Sequence, residues 1–327
     1  TDNKQTKDLL VEVGTNAASG FSSQYQNAGT VKNTGLELSM GWRDQIGKEF
    51  KYGVNVNMAY NKNEVTEVNN ANHFIEGGND LLAQSTGRFV RMEEGHPIGY
   101  FYGYKTDGVI QNQNDLQAYL DQNCKGNAAN SKQGASIKPG DLKFVDVDGN
   151  GVINDDDKTD LGNPHPDVTM GLTLSAEYKG FDFSVLLQGV AKVKGMLSVY
   201  AGHAFYQEGN IQKWQMENCW NVQQDNRYPE YPRLEIMSNA GSNNTLTSDF
   251  WVLDASFLKV RNVQLGYTLP EHIVKKFGST GMRFYVSLDN PLTFKGYRKG
   301  WDPENTSNNG QYYPTMSTYT LGLTLKF

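Results

Sequence analysis

Residues 168–178 read Val-Thr-Met-Gly-Leu-Thr-Leu-Ser-Ala-Glu-Tyr. Every even-numbered position is apolar, and every odd-numbered position is polar or glycine. Successive side chains of a β-strand point to opposite faces of its sheet, so this stretch predicts a strand with one apolar face and one polar face. Its length matches the roughly 9–11 residues with which a tilted strand crosses a bilayer.

The same alternation recurs along the chain. The other strongly alternating stretches are 35–43, 49–61, 181–189, 282–289 and 319–327. Weaker strands are predicted at 6–13, 87–93, 99–107 and 256–269. The last of these slips in phase between Val260 and Asn262, which indicates a bulge or a strand leaving the membrane zone. Together these stretches predict ten strands in an all-β protein.

The predicted connections between the strands fall into two classes that alternate. The short links are 44–48, 94–98, 179–180 and 270–280. The long ones are 14–30, 62–86, 108–167, 192–255 and 290–316. A transmembrane antiparallel β-barrel of an outer membrane has this arrangement, with short periplasmic turns and long extracellular loops. The alternative is a soluble antiparallel barrel whose apolar face points inward.

Composition narrows the classes of protein that remain. The chain has 327 residues, 38% of them hydrophobic, with a net charge of -6, and a mean hydropathy of -0.60. It has no apolar run of about 18 residues, which excludes a transmembrane helix. The acidic balance argues against a nucleic-acid partner. We see no catalytic set of residues and expect no enzyme. The five histidines lack ligand spacing and are expected at the surface or in turns.

Ten strands do not account for a wide barrel. An open sheet edge in lipid would leave unpaired backbone groups, each costing several kcal/mol. We therefore expect residues 1–327 to form the C-terminal part of a larger transmembrane barrel, with the remaining strands on another segment or chain.

Residues 146–157 read Asp-Val-Asp-Gly-Asn-Gly-Val-Ile-Asn-Asp-Asp-Asp and match a calcium loop of the EF-hand type. Hard oxygen donors at alternate positions let such a loop wrap one ion, and Gly151 makes the sharp turn. Asp at the last position, in place of the usual Glu, is a departure from that pattern. The alternative is an Asx-rich turn without metal. The predicted Ca²⁺ ligands are Asp146, Asp148, Asn150, the Val152 carbonyl, Asn154 and Asp157.

The long connections 192–255 and 290–316 are rich in aromatic residues. Such rings can stack on sugars or contact a partner protein, although most rings in long loops pack the loops together. The candidates for substrate or partner contact are Trp214, Trp220, Tyr228, Tyr231, Trp301 and Tyr312. Cys124 and Cys219 lie in different long loops, where a disulfide is chemically allowed but not required.

Many short motifs follow one another over essentially the whole chain. Two of them are Gly-His-Pro-Ile-Gly at 95–99 and Tyr-Lys-Gly-Phe-Asp at 178–182. The others are 6–10, 20–27, 33–38, 101–104, 140–141, 162–164, 231–233, 255–259, 265–267 and 319–323, followed by Phe327. In this order, the motifs resemble the SusC/RagA family of TonB-dependent outer-membrane transporters. The resemblance implies a barrel of 22 strands whose plug and TonB-contact segment lie outside these residues.

The resemblance also implies a function, a location and partners. It implies active import of oligomeric nutrients across the outer membrane of a Gram-negative bacterium, with extracellular loops and a periplasmic C-terminus. The implied partners are a SusD-like surface lipoprotein, TonB, the remaining strands and plug, and the lipid bilayer. Aromatic loops favour glycans as substrate, and oligopeptides are the alternative. A binding or adhesion barrel without transport and a secreted calcium-binding β-protein are the rivals from other classes.

Overall fold

The computed structural model describes residues 2–13, 24–70, 72–77, 89–223, 226–236, 244–305 and 310–327. Parts of the predicted connections 14–30, 62–86, 192–255 and 290–316, residues 87–88 of one predicted strand and part of the motif 20–27 lie outside these ranges.

The described residues are mostly β-strand, with a few short helices. The strands are β1 (Asp2–Val13), β2 (Gln24–Ile46), β3 (Phe50–Val68), β4 (Phe74–Gly77), β5 (Val90–Glu93), β6 (Tyr100–Tyr104), β7 (Thr106–Val109), β8 (Leu142–Phe144), β9 (Lys158–Gly162), β10 (Val168–Tyr178), β11 (Phe181–Ala191), β12 (Lys194–Met196), β13 (Val252–Asp254), β14 (Phe257–Thr268), β15 (Gly281–Lys295) and β16 (Thr318–Lys326). The α-helices are α1 (Gln113–Asn123), α2 (Val199–Gly202), α3 (Lys213–Asn218) and α4 (Glu271–Val274). Single 3₁₀ turns cover Ala128–Asn130, Gly134–Ser136, Asp155–Asp157, Tyr206–Glu208 and Lys275–Phe277. None of the described helices combines the length and the apolar character needed to cross a membrane.

The long strands form one antiparallel sheet, here called the wall sheet, in the order β1-β2-β3-β10-β11-β14-β15-β16. Its register aligns the apolar rows of neighbouring strands. Leu172 of β10 pairs with Val56 of β3 on one side and with Leu187 of β11 on the other. The slip predicted near Val260 is a bulge in β14. The pairing of β14 with β11 and its pairing with β15 both change register between Val260 and Asn262. One face of the wall sheet is therefore continuously apolar.

This apolar face is exposed. Met40 and Trp42 of β2 are 62% and 63% exposed, and Leu321 of β16 is 83% exposed. Large apolar side chains spread over one face of a wide sheet need an apolar surrounding, and lipid provides it. The arrangement does not fit a soluble barrel with a dry apolar centre, and it confirms the transmembrane β-barrel class. Among the described residues the wall sheet does not close on itself.

On the polar face, glycines lie beneath large side chains of neighbouring strands. A Cβ on Gly322 of β16 would fall 2.1 Å from Cζ of Tyr285, so the tyrosine ring lies flat over this glycine. Asn57 likewise covers Gly171, whose added Cβ would fall 2.2 Å from Oδ1 of Asn57. A side chain at either glycine would displace the group that covers it.

The ends of the wall sheet differ, as the sequence predicts. At one end β2 joins β3, β10 joins β11, and β14 joins β15 through short links, the last of which contains α4. At the other end the connections from β3 to β10, from β11 to β14 and from β15 to β16 are long.

The prediction of ten wall strands is wrong in two places. Residues 90–93 and 100–104 form β5 and β6 of a separate four-stranded sheet, in the order β4-β5-β6-β9. The predicted short link 94–98 is not a turn at the short-link end. Its backbone forms a hydrogen bond with β3 near the end that leads into a long connection, where Val65 N–H donates to the His96 carbonyl at 2.8 Å. The wall sheet has eight strands among the described residues, and β3 connects to β10 through one long region.

The buried cores of the chain lie mainly in the long connections, outside the middle of the wall sheet. One cluster gathers around Trp251, which is 2% exposed, and includes Phe101 and Tyr231. A second cluster includes Tyr104, Leu120 and the loop that follows β8. We call residues 89–167 and 192–256 together the loop layer. It is a small folded unit with its own apolar interior, as long ordered loops require.

Candidate functional site

The predicted calcium loop follows β8 directly. One carboxylate oxygen from each of Asp146, Asp148 and Asp157 lies within 4.8 Å of the others. Asp157 is completely buried, whereas Asp148 is exposed. Three carboxylates this close repel one another unless a cation lies among them. Among the described residues, no lysine, arginine or histidine forms a salt bridge with any of the three.

Backbone N–H groups set the shape of this loop. Asp146 accepts from Gly149 at 2.9 Å and from Gly151 at 2.7 Å through its two oxygens. Asp157 accepts from Val147 at 2.7 Å. Gly151 has φ +76°, and a Cβ on it would fall 2.7 Å from Cγ of Lys125. Glycine is therefore required at the sixth position for its backbone angle and for space.

The remaining predicted ligands are bonded within the loop. The Asn150 side-chain oxygen accepts from Val152 N–H at 2.7 Å. The Asn154 side-chain oxygen accepts from Asp156 N–H at 2.6 Å, and Asn154 N–H donates to Asp157 at 2.8 Å in a capping box. The structure therefore brings the three predicted carboxylates together, and it uses both asparagines to turn the backbone around them.

The loop is anchored to the loop layer on two sides. Ile153, 3% exposed, lies in the second cluster beside Cys124, and its N–H donates to the Asn130 carbonyl at 2.8 Å. The neighbouring Asp155 is not part of the three-carboxylate cluster. It accepts from Lys132 at 2.6 Å and from the Tyr104 hydroxyl at 2.8 Å, and these contacts hold the pKa of its carboxyl well below the usual range.

Tyr231 and Trp214, two of the predicted aromatic contact residues, pack inside the loop layer. Tyr231 is 5% exposed and meets Trp214 edge-on with ring centroids 5.7 Å apart. The Tyr231 hydroxyl accepts from Ala204 N–H at 2.7 Å, and burial raises the pKa of this phenol to about 12. Trp214 is half-buried under the guanidinium of Arg298, at 4.7 Å. These rings stabilise the loop layer.

Two further candidates are half-buried. Trp220 packs against the second cluster, over Gly140. Trp301 packs against residues 197–201 and lies 6.1 Å from Tyr312. Tyr228 differs from the other candidates because it is 67% exposed, with its hydroxyl donating to Asp107 at 3.1 Å. Tyr313 beside Tyr312 is 84% exposed. Among the described aromatic residues of the long connections, Tyr228 and Tyr313 therefore have the most accessible rings.

The two cysteines are free. Cys124 is buried in the second cluster, and Cys219 is partly exposed beside the first. Burial, followed by the charges of Asp146 and Asp157, raises the pKa of the Cys124 thiol to about 11. The possible disulfide between the long loops is therefore not formed in this structure.

Two features, one in the loop layer and one on the wall sheet, escape sequence reasoning. His203, expected at the surface or in a turn, is 2% exposed, and burial lowers its pKa to about 3. Its ring lies 4.9 Å from that of Trp251, and neither ring nitrogen has a hydrogen-bond partner among the described residues. The second feature is a cluster of charges around Lys259 of β14, which is 2% exposed. No local pattern marks His203 or Lys259, because the burial of each side chain depends on residues that are distant in sequence.

A wide antiparallel sheet with an exposed apolar face, a polar face and long connections at one end defines the wall of an outer-membrane β-barrel. Comparisons with known proteins extend this assignment. The chain is 32% identical over 342 aligned residues to TonB-dependent receptor P3 of Formosa agariphila, covering 99% of this chain and 31% of the relative. It is 29% identical to TonB-dependent receptor SusC of Bacteroides thetaiotaomicron, covering 99% of this chain and 29% of the relative.

The homologues of this chain are therefore TonB-dependent receptors, SusC among them, and the similarity extends over essentially the whole chain. The chain spans about a third of the length of these relatives. The relatives are receptors and not enzymes, in agreement with the expectation from sequence. No family model matches the chain.

Solved structures agree with the fold. The structure of the RagAB peptide transporter matches 99% of this chain and 32% of its own, with a TM-score of 0.70 and 24% identity. The RagAB peptide importer in the closed-closed state matches with the same TM-score and 23% identity. At these identities the comparison supports the fold alone.

Proposed function

We propose that the chain forms a section of the barrel wall and outer loops of a TonB-dependent importer of oligomeric nutrients. The observation that carries this proposal is the exposed apolar face of the wall sheet, combined with similarity to TonB-dependent receptors over 99% of the chain. The relatives are about three times as long, which supports a plug, further strands and a TonB-contact segment elsewhere in the full-length receptor.

In this proposal the protein lies in the outer membrane of a Gram-negative bacterium. The loop layer is extracellular, and the short links and the C-terminus are periplasmic. TonB and a SusD-like lipoprotein are its partners, the first through segments outside this chain. The similarity to TonB-dependent receptor SusC and the fold match to the RagAB peptide transporter support these partners.

We propose oligosaccharides as the substrate class. The support is the exposure of Tyr228 and Tyr313, since a flat ring open to water stacks well on the apolar face of a sugar. Oligopeptides are the second candidate, favoured by the fold match to the RagAB peptide transporter. Import of either substrate class would use the same barrel. The two classes would differ in the groups that the outer loops contact.

Growth and binding measurements test these proposals. Cells that depend on the full-length receptor are grown on a panel of oligosaccharides and oligopeptides, with the receptor gene deleted as the reference. Import requires that deletion abolish growth on at least one panel member, whereas an adhesion barrel would leave growth unchanged on all of them. Tyr228→Ala should weaken glycan binding about tenfold, and Tyr228→Phe, which keeps the ring, should not. Peptide-only growth would overturn the glycan assignment.

We further propose that Asp146, Asp148 and Asp157, with Asn150, the Val152 carbonyl and Asn154, hold one structural Ca²⁺. The support is the set of three carboxylates within 4.8 Å, one of them buried, on a loop whose glycines fit the required turn. The ion would offset the mutual repulsion of these carboxylates and fix the loop layer. Calorimetric titration of the chelated full-length receptor with Ca²⁺ tests this proposal, and the absence of binding heat at millimolar Ca²⁺ would contradict it.

A further inference from the structure

A buried charge cluster joins β14 to the connection between β15 and β16. Nζ of Lys259 donates to Oδ1 of Asp302 at 2.7 Å and also to Glu304. Arg261 donates to Glu304 and, at 2.6 Å, to the side-chain oxygen of Gln188. Two cations of the wall sheet are thus matched by two carboxylates of one long connection.

The cluster lies on the polar face of the wall sheet. Lys259 pairs in register with Gln188 of β11, whose neighbour Leu187 belongs to the apolar row. Leu258 and Phe294, adjacent to the cluster in register, point to the opposite face and are 39% and 58% exposed. To reach Lys259, the connection must therefore bend over the end of the sheet toward its polar side.

The connection is also held from the loop layer. Tyr297, 7% exposed, packs with Leu197, Ala201 and Ala255. Trp301 packs against the same group, and its carbonyl accepts from Lys295. Residues 297–305, here called the strap, are therefore fixed both by an apolar contact and by the charge cluster.

Two further hydrogen bonds fix Asp302 within the connection. Asp302 N–H donates to the Tyr312 hydroxyl at 3.0 Å, and Glu304 N–H donates to Asp302 Oδ1 at 3.1 Å. Asp302 therefore uses one side-chain oxygen for both Lys259 and its own backbone turn. The side chains of Asp302 and Glu304 face the wall sheet and are largely shielded from solvent, at 16% and 28% exposed.

We propose that the strap is a fixed inward fold at the entrance of the barrel, seated on the wall by Lys259 and Arg261, and that it remains seated while cargo passes. The physical reason is the cost of separation, since a buried ammonium that loses its carboxylates is left unpaired in a site that water reaches poorly. In this proposal the strap covers part of the polar face at the end of the wall sheet that carries the long connections. The role of the entrance rests on the proposed transport function.

Cross-linking tests whether the strap contacts the wall sheet at Lys259 and whether this contact persists during uptake. In the full-length receptor, Lys259→Cys is combined with Asp302→Cys, and the two thiols are bridged in intact outer membranes by a bifunctional methanethiosulfonate reagent. A spacer is needed because an extended lysine paired with an aspartate holds the two Cα atoms farther apart than the roughly 7 Å that a disulfide spans. Arg261 and Glu304 still join the strap to the wall sheet in this variant. We expect efficient cross-linking and an uptake rate within twofold of the uncross-linked form. Absence of the cross-link in folded receptor would overturn the contact between strap and wall. Loss of uptake by more than tenfold on cross-linking, restored by reductant, would show that the strap must move and would overturn its permanence.

Proteolysis gives an independent measure that does not use transport. Trypsin should cut after Arg298 or Lys299 faster when the strap opens, because a segment held at several points adapts poorly to a protease active site. The double variant Asp302→Asn with Glu304→Gln should raise the rate of this cut at least tenfold, whereas Glu271→Gln, which removes an exposed pair with Lys275, should not change it. An unchanged rate in the double variant would contradict the seat. A receptor that transports nothing would refute the proposed function while leaving both measurements of the seat valid.

Discussion

Arg283 of β15 and Asp182 of β11 form an ion pair across the intervening strand β14, with Nε of Arg283 donating to Oδ2 of Asp182 at 2.9 Å. The residue between them is Gly266, and a Cβ there would fall 2.4 Å from both the guanidinium and the carboxylate. The pair thus binds three strands of the wall sheet together on its polar face, and it exists because the middle strand has no side chain at this point.

Gly266→Ala should break this ion pair. The expected cost is about 1 kcal/mol, because both partners are partly exposed to water. The loss appears as a lower temperature at which the folded barrel band disappears in gel electrophoresis. Gly281→Ala is the matched control, since its nearest neighbour would lie at 3.4 Å. Equal shifts in both variants would show that the pair contributes nothing measurable.

Leu172→Arg and Thr173→Arg place the same charge on opposite faces of β10. A charge on the lipid side near the middle of a bilayer costs roughly 2–4 kcal/mol, and a charge on the polar side costs much less. We expect Leu172→Arg to reduce the amount of assembled receptor in the outer membrane strongly and Thr173→Arg to leave it near the unmodified level. Equal effects would contradict the facing described for the wall sheet.

Asp148→Asn tests the predicted calcium site, and Asp156→Asn is its control. Asp148 belongs to the three-carboxylate cluster, whereas Asp156 is exposed and outside it. If Ca²⁺ holds the loop, Asp148→Asn should weaken calcium affinity about tenfold or more and increase protease cutting within 108–167, as chelation should. Asp156→Asn should do neither. Cutting that is unaffected by both chelation and Asp148→Asn would count against an ion in this loop.

His203 makes the loop layer sensitive to acid. Burial lowers the folded-state pKa of His203 to about 3, below the ordinary value of roughly 6.5. The unfolded layer therefore binds a proton that the folded layer rejects, so stability is full above about pH 6.5 and declines as the pH falls toward 3. The decline is at most about 5 kcal/mol. His203→Leu should flatten this dependence, measured by protease cutting of the layer at a series of pH values, whereas the exposed His165→Leu should not.

The cysteines should differ in reactivity. The thiolate is the reactive form, and a pKa of about 11 for Cys124 leaves almost none of it at neutral pH. Iodoacetamide should therefore modify Cys219 in the folded receptor and reach Cys124 only after denaturation, as read by mass spectrometry of tryptic peptides. Two unreactive thiols in the folded receptor that become reactive on reduction would reveal a disulfide.

The strands of the wall sheet were the most predictable part of the fold. The alternation in 168–178 gives β10 its observed bounds, because both the apolar and the polar rows continue to its ends. The prediction of a wall strand at 99–107 is wrong for a physical reason. Alternation shows that one face is apolar but not what covers it, and in β6 both Tyr100 and Phe101 are buried by protein. The shorter length of β6, as against β10, is the feature that separates the two cases.

The site was predictable where its residues are close in sequence. Asp146, Asp148 and Asp157 share one loop, so spacing alone places them together. Lys259 and Asp302 are 43 positions apart, and only the folding of a long connection onto β14 brings them into contact. The burial of His203 likewise follows from its packing on Trp251, which no nearby residue of the sequence indicates.

The tyrosine that lies flat on Gly322 has a consequence for the relief of the polar face. Tyr285 runs along its neighbour strand instead of standing upright, and Asn57 does the same over Gly171. Bulky hydrogen-bonding groups can then cover this face while projecting little from it. A single methyl group at either glycine would lift its neighbour away from the sheet and roughen the surface.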